Sequence, residues 1–505
     1  MEERGVGVSS GKIMKTSLSR RYKVCSLFSG AGGLDEGFRM AGGFTTVFAN
    51  DLKRAPAASF SSNFKFKTVT PQYMANGRNF IRKFVCGGIE DVEFRVFPPE
   101  FADVVAGGPP CQDFSIVRGP PSERRGIETK RGRLYSYYVK ALAYIQPKFF
   151  VFENVPGLIS SNKGEAYKKI LSDLSELEKA WPEIEADIGN GDLSNIAGYD
   201  ILFQGIVDSS KLGVPQRRKR LIVLGVRKGE IAEENIGSAS KIARYILEGK
   251  DSLISKYPLT PIEAFEGQDL SELSERYTEI MSEYKGLWRE LRSEKSIEWE
   301  EANVDKLPKD AIKDYLILNG ITPFGPDEVR KAMSEHRRIL RKLGWLGRPV
   351  KEESYADGSN LLPKESEEVR RRLMQIPPGE NIDFLEGSRY YVRSNGMSLI
   401  YRRIHPLVPS PTIVAFGGGG TWGYHYERGR TALTNRERAR LQSFPDKFLF
   451  SGSISEVRAQ IGEAVPPLVG FAVAKAIRMI SDSFLNEGLS RAPLPIEDQQ
   501  ARELR

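Results

Sequence analysis

Short runs of consecutive apolar residues, each closed by glycine, proline or a polar pair, recur through the first 230 positions and predict buried strands. Runs of this length suit strands covered on both faces, as in a parallel sheet, better than amphipathic helices. Val24-Cys25-Ser26-Leu27-Phe28 is the first, followed by the glycine-rich Ser29-Gly30-Ala31-Gly32-Gly33-Leu34-Asp35-Glu36-Gly37-Phe38, which reads as a turn opening a helix. A second strand, Phe44 to Ala49, ends in Asn50-Asp51, and a third apolar run, Phe101 to Ala106, feeds Gly107-Gly108-Pro109-Pro110-Cys111-Gln112. Lys148 to Phe152 ends in Glu153-Asn154, and Leu221 to Val226 follows the basic stretch Gly213 to Arg220. Late in the chain Thr412 to Phe416 predicts one more strand, and Val469 to Phe484 carries apolar residues at helical spacing that should pack back on the sheet.

Between Gly229 and Ile400 the pattern changes. Residues from Gly229 to about Asp327 are rich in Glu, Lys and Ser at helical spacing, Leu270 to Tyr277 among them, and predict solvent-washed helices. From Val329 the balance turns basic, with Arg330, Lys331, Arg337, Arg338, Arg341, Lys342 and Arg348 interleaved with Leu340, Leu343 and Trp345. A second cluster holds Arg389, Tyr390, Tyr391, Arg393, Asn395, Tyr401, Arg402 and Arg403. A length of 505 residues implies two domains. The net charge of +8 suits a polyanionic partner. Cys25, Cys86 and Cys111 have no metal-type spacing, and only three histidines occur, His336, His405 and His425, so a histidine metal site is not expected. No uninterrupted apolar run of roughly 20 residues and no signal-peptide core is present, which predicts a soluble, intracellular chain with free thiols.

Three segments carry candidate chemistry. Two prolines stiffen the turn before Cys111 and glycines allow close backbone approach, so this thiol is either an inert buried cysteine or a presented nucleophile. The glycine turn after the first strand, with Asp51 lying 18 residues beyond Gly33 (51 − 33), has the form of a nucleotide cradle with an acid for ribose hydroxyls. Glu153 ends an aromatic strand, where desolvation raises a carboxyl pKa toward proton-transfer range. The arginines before Leu221 are either a solvated edge or a clamp for phosphate and carboxylate groups.

Taken together these segments resemble the cytosine-C5 DNA methyltransferases of bacterial restriction-modification systems. The resemblance rests on Phe28 to Gly37, Asp51, Pro109-Pro110-Cys111-Gln112, Glu153-Asn154-Val155, Gln216-x-Arg218-x-Arg220, Arg430 to Pro445, and Gln460 to Pro467, in that order. It implies a doubly wound α/β sheet that uses S-adenosylmethionine, with a smaller mixed target-recognition domain inserted. The expected division is a disordered tail at 1–20, catalytic parts at 21–228 and 401–485, a recognition domain with helical insert at 229–400, and a tail at 486–505.

By resemblance, Cys111 adds to cytosine C6, Glu153 serves N3, and Arg218, with Arg220, steadies the cytosine oxygen and neighbouring phosphate. Phe28, Gly30, Gly33, Asp51, Leu52, Ile89, Glu463 and Val465 would hold S-adenosylmethionine. Residues Asp113 to Arg133 would close on duplex DNA around a flipped base, and Gly417 to Gly423 is either a DNA-facing turn or a hairpin tip. The base that takes the C5 proton is a water or a side chain. Two positions depart from the family: Gly88 stands where an aspartate usually bonds the adenine amino group, with Asp91 or backbone carbonyls as substitutes, and Glu463 stands where an asparagine is usual. A monomer, a cytoplasmic setting on nucleoid DNA, and no metal or membrane complete the expectation. A transfer-RNA methyltransferase, or a relative that binds DNA without catalysis, is the alternative.

Overall fold

The computed structural model describes residues 21–75, 80–110, 134–188, 196–307, 309–393, 400–415, 423–430 and 432–485. Cys111, the segment from Asp113 to Arg133, Asn395, the glycines from Gly417 to Gly420 and both expected tails lie outside the described residues. Eight strands form one sheet: β1 (Tyr22–Leu27), β2 (Phe44–Asp51), β3 (Lys67–Val69), β4 (Lys83–Cys86), β5 (Val104–Gly107), β6 (Phe149–Asn154), β7 (Tyr199–Asp208) and β8 (Lys219–Arg227). Their order is β3-β4-β2-β1-β5-β6-β8-β7. Only β8 runs against its neighbours, pairing antiparallel with both β6 and β7.

Alternation along the strands divides the core in two, because successive side chains point to opposite faces. Val24, Val104, Ala106, Phe149, Val151 and Leu224 pack on one face. Cys25, Leu27, Val105, Phe150, Phe152 and Val223 pack on the other. The first face is covered by helices Gly33–Ala41, Glu233–Leu247 and Pro467–Phe484, the last of which lies against the other two. Chain ends more than 400 positions apart therefore build one layer. Glycine makes this approach possible: a Cβ on Gly37 would collide with Pro467 O and stand 2.5 Å from Phe471 N, and one on Gly33 would strike Val465 O. The stretch Ile454–Phe484 is long and apolar enough to cross a membrane by length and composition, yet it comprises two helices interrupted at Pro466 and is largely buried.

Three expectations change. Of the expected strand Thr412 to Phe416, Phe416 lies outside the described residues and Thr412 to Ala415 form no strand; Ile413 N donates to Gln216 Oε1 (2.8 Å) and Ile413 O accepts from Arg218, so side chains satisfy a backbone that a ladder would otherwise pair. The helices after Gly229 are not washed by solvent. Tyr257, Ile262, Phe265, Tyr277, Ile280 and Tyr284 are buried in the same cluster as the sheet's first face. Their polar neighbours hide an apolar stripe of one position in three or four, which is enough to bury a helix. Helix Glu233–Leu247 also packs on β7 although it lies beyond Gly229. Helix Pro326–Leu343 buries Ala332, Met333, His336, Leu340 and Leu343, and His336 joins the Glu263 carboxylate (Nδ1 to Oε1, 2.7 Å) to Tyr257 O (2.9 Å).

Gly37→Ala should destabilise the protein by about 1–3 kcal/mol, since the added methyl meets backbone that cannot swing aside. Urea unfolding of the variant checks this. An unchanged midpoint would mean that the two helices are free to separate.

Candidate active site

In a doubly wound sheet the ligand crevice lies where the strand order reverses, outside the carboxyl ends of the strands. Here the reversal falls between β1 and β5. The turn after β1 and the Gly107-Gly108-Pro109-Pro110 segment after β5 open from this one point.

The first turn is held in an unusual backbone path. Phe28 has φ 52°, a left-handed conformation that a bulky residue rarely adopts, and Gly30 has φ 55°. The strain is fixed from β2: Ser29 N donates to Asn50 O (3.0 Å), and Gly30 N donates to Asp51 Oδ2 (2.9 Å). Asp51 Oδ1 accepts from Lys53 N (3.0 Å). Burial raises the Asp51 pKa, with those backbone donors and the Lys53 charge opposing. Asn50, to which the sequence assigns no role, donates to Val85 O and Gly87 O (both 3.0 Å) and so ties β4 to the same turn. Nothing lies within 4 Å of a Cβ built on Gly30, which leaves open space over the turn.

The other residues expected around this cradle fall in different settings. Leu52 is 70% exposed, whereas Ile89 is buried in the core. Val465 O closes over Gly33, and Lys53 Nζ reaches Glu463 (2.7 and 2.8 Å). A Cβ on Gly88 would stand 2.6 Å from Glu90 Oε2, so the Glu90 carboxylate, not that of Asp91, fills the space over Gly88.

Glu153 ends β6 opposite Ile222, and the two-residue period of a strand puts Arg220 diagonally across on the same face. Arg220 Nε lies 3.1 Å from Glu153 Oε1, with side-chain exposures of 18% and 14%. Burial nevertheless raises the Glu153 pKa against the opposing charges of Arg220 and Arg218. A Cβ on Gly108 would collide with Glu153 Oε2, so the loop after β5 lies directly against this carboxylate. Asn154 Nδ2 donates to Pro109 O (3.1 Å). That bond anchors the loop two residues before Cys111.

The two arginines part company. Arg218 is buried, donating from Nη1 to Ile413 O (3.2 Å) and from Nη2 to Gly462 O (2.8 Å). It clamps two crossing segments that approach closely because Gly462 has no side chain. Burial and the nearby Arg220 charge pull its pKa well down, with Glu153 opposing. Gln216 supports the same crossing by donating to Leu441 O (3.1 Å). Other arginines are engaged too: Arg436 holds Asp357, Arg440 holds Asp446, and Arg337 holds Asp269 and Glu272. Arg403 is buried among backbone carbonyls of Leu373, His425, Glu427 and Arg430.

A mixed eight-stranded sheet with its crevice at the β1–β5 reversal is an α/β methyltransferase fold. The model of the C-5 cytosine-specific DNA methylases matches residues 22–479, and the chain belongs to that family. It is 48% identical over 471 residues to the DNA (cytosine-5-)-methyltransferase M.ApeKI of Aeropyrum pernix, covering 92% of this chain and 99% of that protein. It is 31% identical over 470 residues to the type II methyltransferase M.NgoFVII of Neisseria gonorrhoeae, covering 93% and 90%. A crystal structure described as a prophage-encoded DNA modification methyltransferase from E. coli has the same fold at TM-score 0.50 and 20% identity, covering 91% of this chain and 99% of that one. The protein is thus a DNA (cytosine-5-)-methyltransferase of the restriction-modification type.

Arg218→Leu and Arg220→Leu should fail differently. The first orphans two buried carbonyls and should cost about 1–3 kcal/mol for each in urea unfolding. The second should leave stability nearer wild type but lower methyl transfer about 100-fold or more, because Glu153 loses its cation. The opposite pattern would exchange the two assignments.

Proposed function

We propose that the enzyme methylates C5 of a cytosine flipped out of a specific duplex sequence, through a covalent bond between Cys111 Sγ and C6. The observation that carries this reading is Glu153, a buried carboxyl of raised pKa, set against Arg220 and the loop that leads to Cys111. Cytosine C5 is a weak nucleophile. Attack of the Cys111 thiolate forms the S–C6 bond and pushes ring electrons toward N3, where the Glu153 carboxyl gives up its proton. Burial, which raises the Glu153 pKa, favours the protonated form that this step needs. Arg220 offsets the charge left on Glu153 and faces the cytosine oxygen. The ring, now enamine-like, carries its density at C5 and takes the methyl group there. Loss of the C5 proton to a water or a side chain then expels the sulfur, and N3 returns its proton to the Glu153 carboxylate.

S-adenosylmethionine supplies the methyl group when bound. The open space over Gly30, the carboxylate of Asp51 and the exposed Leu52 suit its adenosine part, with Phe28, Gly33, Ile89, Val465 and Glu463 around them. The Glu90 carboxylate, lying over Gly88, supports a reading in which it accepts from the adenine amino group in place of the family's usual aspartate. Cytosine inside a duplex is covered above and below by its neighbours, so flipping at a cost of a few kcal/mol is part of the reading. The target-recognition domain lies between the two catalytic parts, and the enzyme works as a monomer in the cytoplasm of its host.

Cys111→Ser should abolish methyl transfer while DNA binding persists, because a serine hydroxyl is too weakly ionised to add to C6. Duplex DNA with 5-fluorocytosine at the target should trap a denaturant-stable adduct with the wild type. Activity on normal duplex without any adduct, or preference for transfer RNA over duplex, would overturn this mechanism.

Exchanging residues 229–400 for those of a relative should move the methylated site and leave S-adenosylmethionine affinity near its original value. Sequencing of methylated cytosines reads the outcome. A folded, active exchange that keeps the original site would remove recognition from this interval.

A further inference from the structure

An ion pair crosses the mouth of the cofactor crevice. Lys53 follows β2, two residues beyond Asp51, and its Nζ meets both carboxylate oxygens of Glu463 (2.7 and 2.8 Å). The lysine stands on the wall that ends β2, and the glutamate ends helix Ile454–Glu463 on the opposite wall.

Both places are fixed by backbone. Lys53 N donates to Asp51 Oδ1 (3.0 Å), on the carboxylate whose other oxygen holds Gly30 N. On the far side Gly462 O accepts from the buried Arg218 (2.8 Å), and Val465 O closes over Gly33. The two charged side chains nevertheless remain 50% and 38% exposed. An exposed pair adds little to stability, and buried contacts already hold these walls together. Holding the fold does not account for it.

The order of the sheet gives the crevice a direction. Glu90 lies over Gly88 after β4, Asp51 ends β2, the glycine turn follows β1, and Glu153 ends β6, in strand order β4-β2-β1-β5-β6. With adenine at the β4 side and ribose on Asp51, the sulfur end of S-adenosylmethionine points toward the glycine turn. There Val465 O and Ala464 close over Gly33, and Glu463 adjoins them. The amino-acid end joined to that sulfur carries a carboxylate and an ammonium on one carbon. Helix Gly33–Ala41 is a poor receptor for this carboxylate, because Asp35 and Glu36 sit buried in the first turn, where an anion would meet the positive helix end. A separate cation is needed, and Lys53 is at hand.

We propose that Lys53 and Glu463 are the receptor for the amino-acid end of S-adenosylmethionine, Lys53 taking its carboxylate and Glu463 its ammonium. The pair is neutral as a whole and so is the zwitterion, so an exchange of partners leaves no charge unmatched. Each new contact is a charge-assisted hydrogen bond. The inference rests on the S-adenosylmethionine reading and deepens it: the cradle after β1 holds the nucleoside, and the ion pair recognises the amino acid.

Isothermal titration calorimetry on the full chain tests this without turnover. The probes are S-adenosylmethionine, its decarboxylated form, and methylthioadenosine, which lacks the amino-acid end. Lys53→Gln should weaken S-adenosylmethionine about tenfold or more and leave the other two at wild-type affinity. Glu463→Gln should weaken S-adenosylmethionine and the decarboxylated form by a like factor, and again spare methylthioadenosine. Unchanged S-adenosylmethionine affinity in either variant, or the reverse pattern across the analogues, would overturn the assignment. So would an equal loss for methylthioadenosine, which would make the pair a structural tie of the cradle. A wild type that binds none of the probes would instead sink the cofactor reading itself, which separates the two failures.

Discussion

The contact between helices Gly33–Ala41 and Pro467–Phe484 is the constraint on which the catalytic crevice depends. It brings backbone to backbone at Gly33, Gly37 and Gly470, where any side chain would hold the layers apart. Through it the last described segments reach the first turn: Val465 closes over Gly33, and Glu463 meets Lys53. Without that approach the cradle after β1 would have one wall. The helices of the long middle interval share a buried cluster with this layer.

Charge is managed differently in different parts of the molecule. Arginines that look alike in sequence are spent inside the fold as ties between segments, as Arg218 is on Ile413 and Gly462 and Arg403 is on four carbonyls. A guanidinium serves well there because its five donors can satisfy several backbone acceptors at once. Glu153 is the reverse case: a carboxyl whose burial outweighs two neighbouring positive charges and keeps its pKa high. Gly108 is what lets the adjoining loop lie against it.

The two positions that depart from the family pattern each have a side chain close by. Removal of the side chain at Gly88 opens space that the Glu90 carboxylate enters from two residues away. The charge introduced at Glu463 is met by Lys53, an exposed pair whose contribution to stability is small but which neutralises a carboxylate close to Asp51.

What the sequence determined by itself was local: the buried strands, the glycine turn with Asp51 beyond it, the strand-end Glu153, and the ordered motifs that resemble one family. These are legible because period, turn chemistry and residue identity are properties of a few neighbouring positions. The partners were decided by tertiary structure. No spacing announces that Arg218 would be a structural clamp and Arg220 the partner of Glu153, that Asn154 would hold Pro109, or that Ile413 would be tied by Gln216 and Arg218 instead of by a strand ladder. The helices after Gly229 looked solvated because their apolar stripe is narrow, and only packing showed what it covers. Hydrogen bonds and ion pairs join residues distant in sequence, and which donor meets which acceptor is settled when the layers close, since a buried polar group must take the partner within reach.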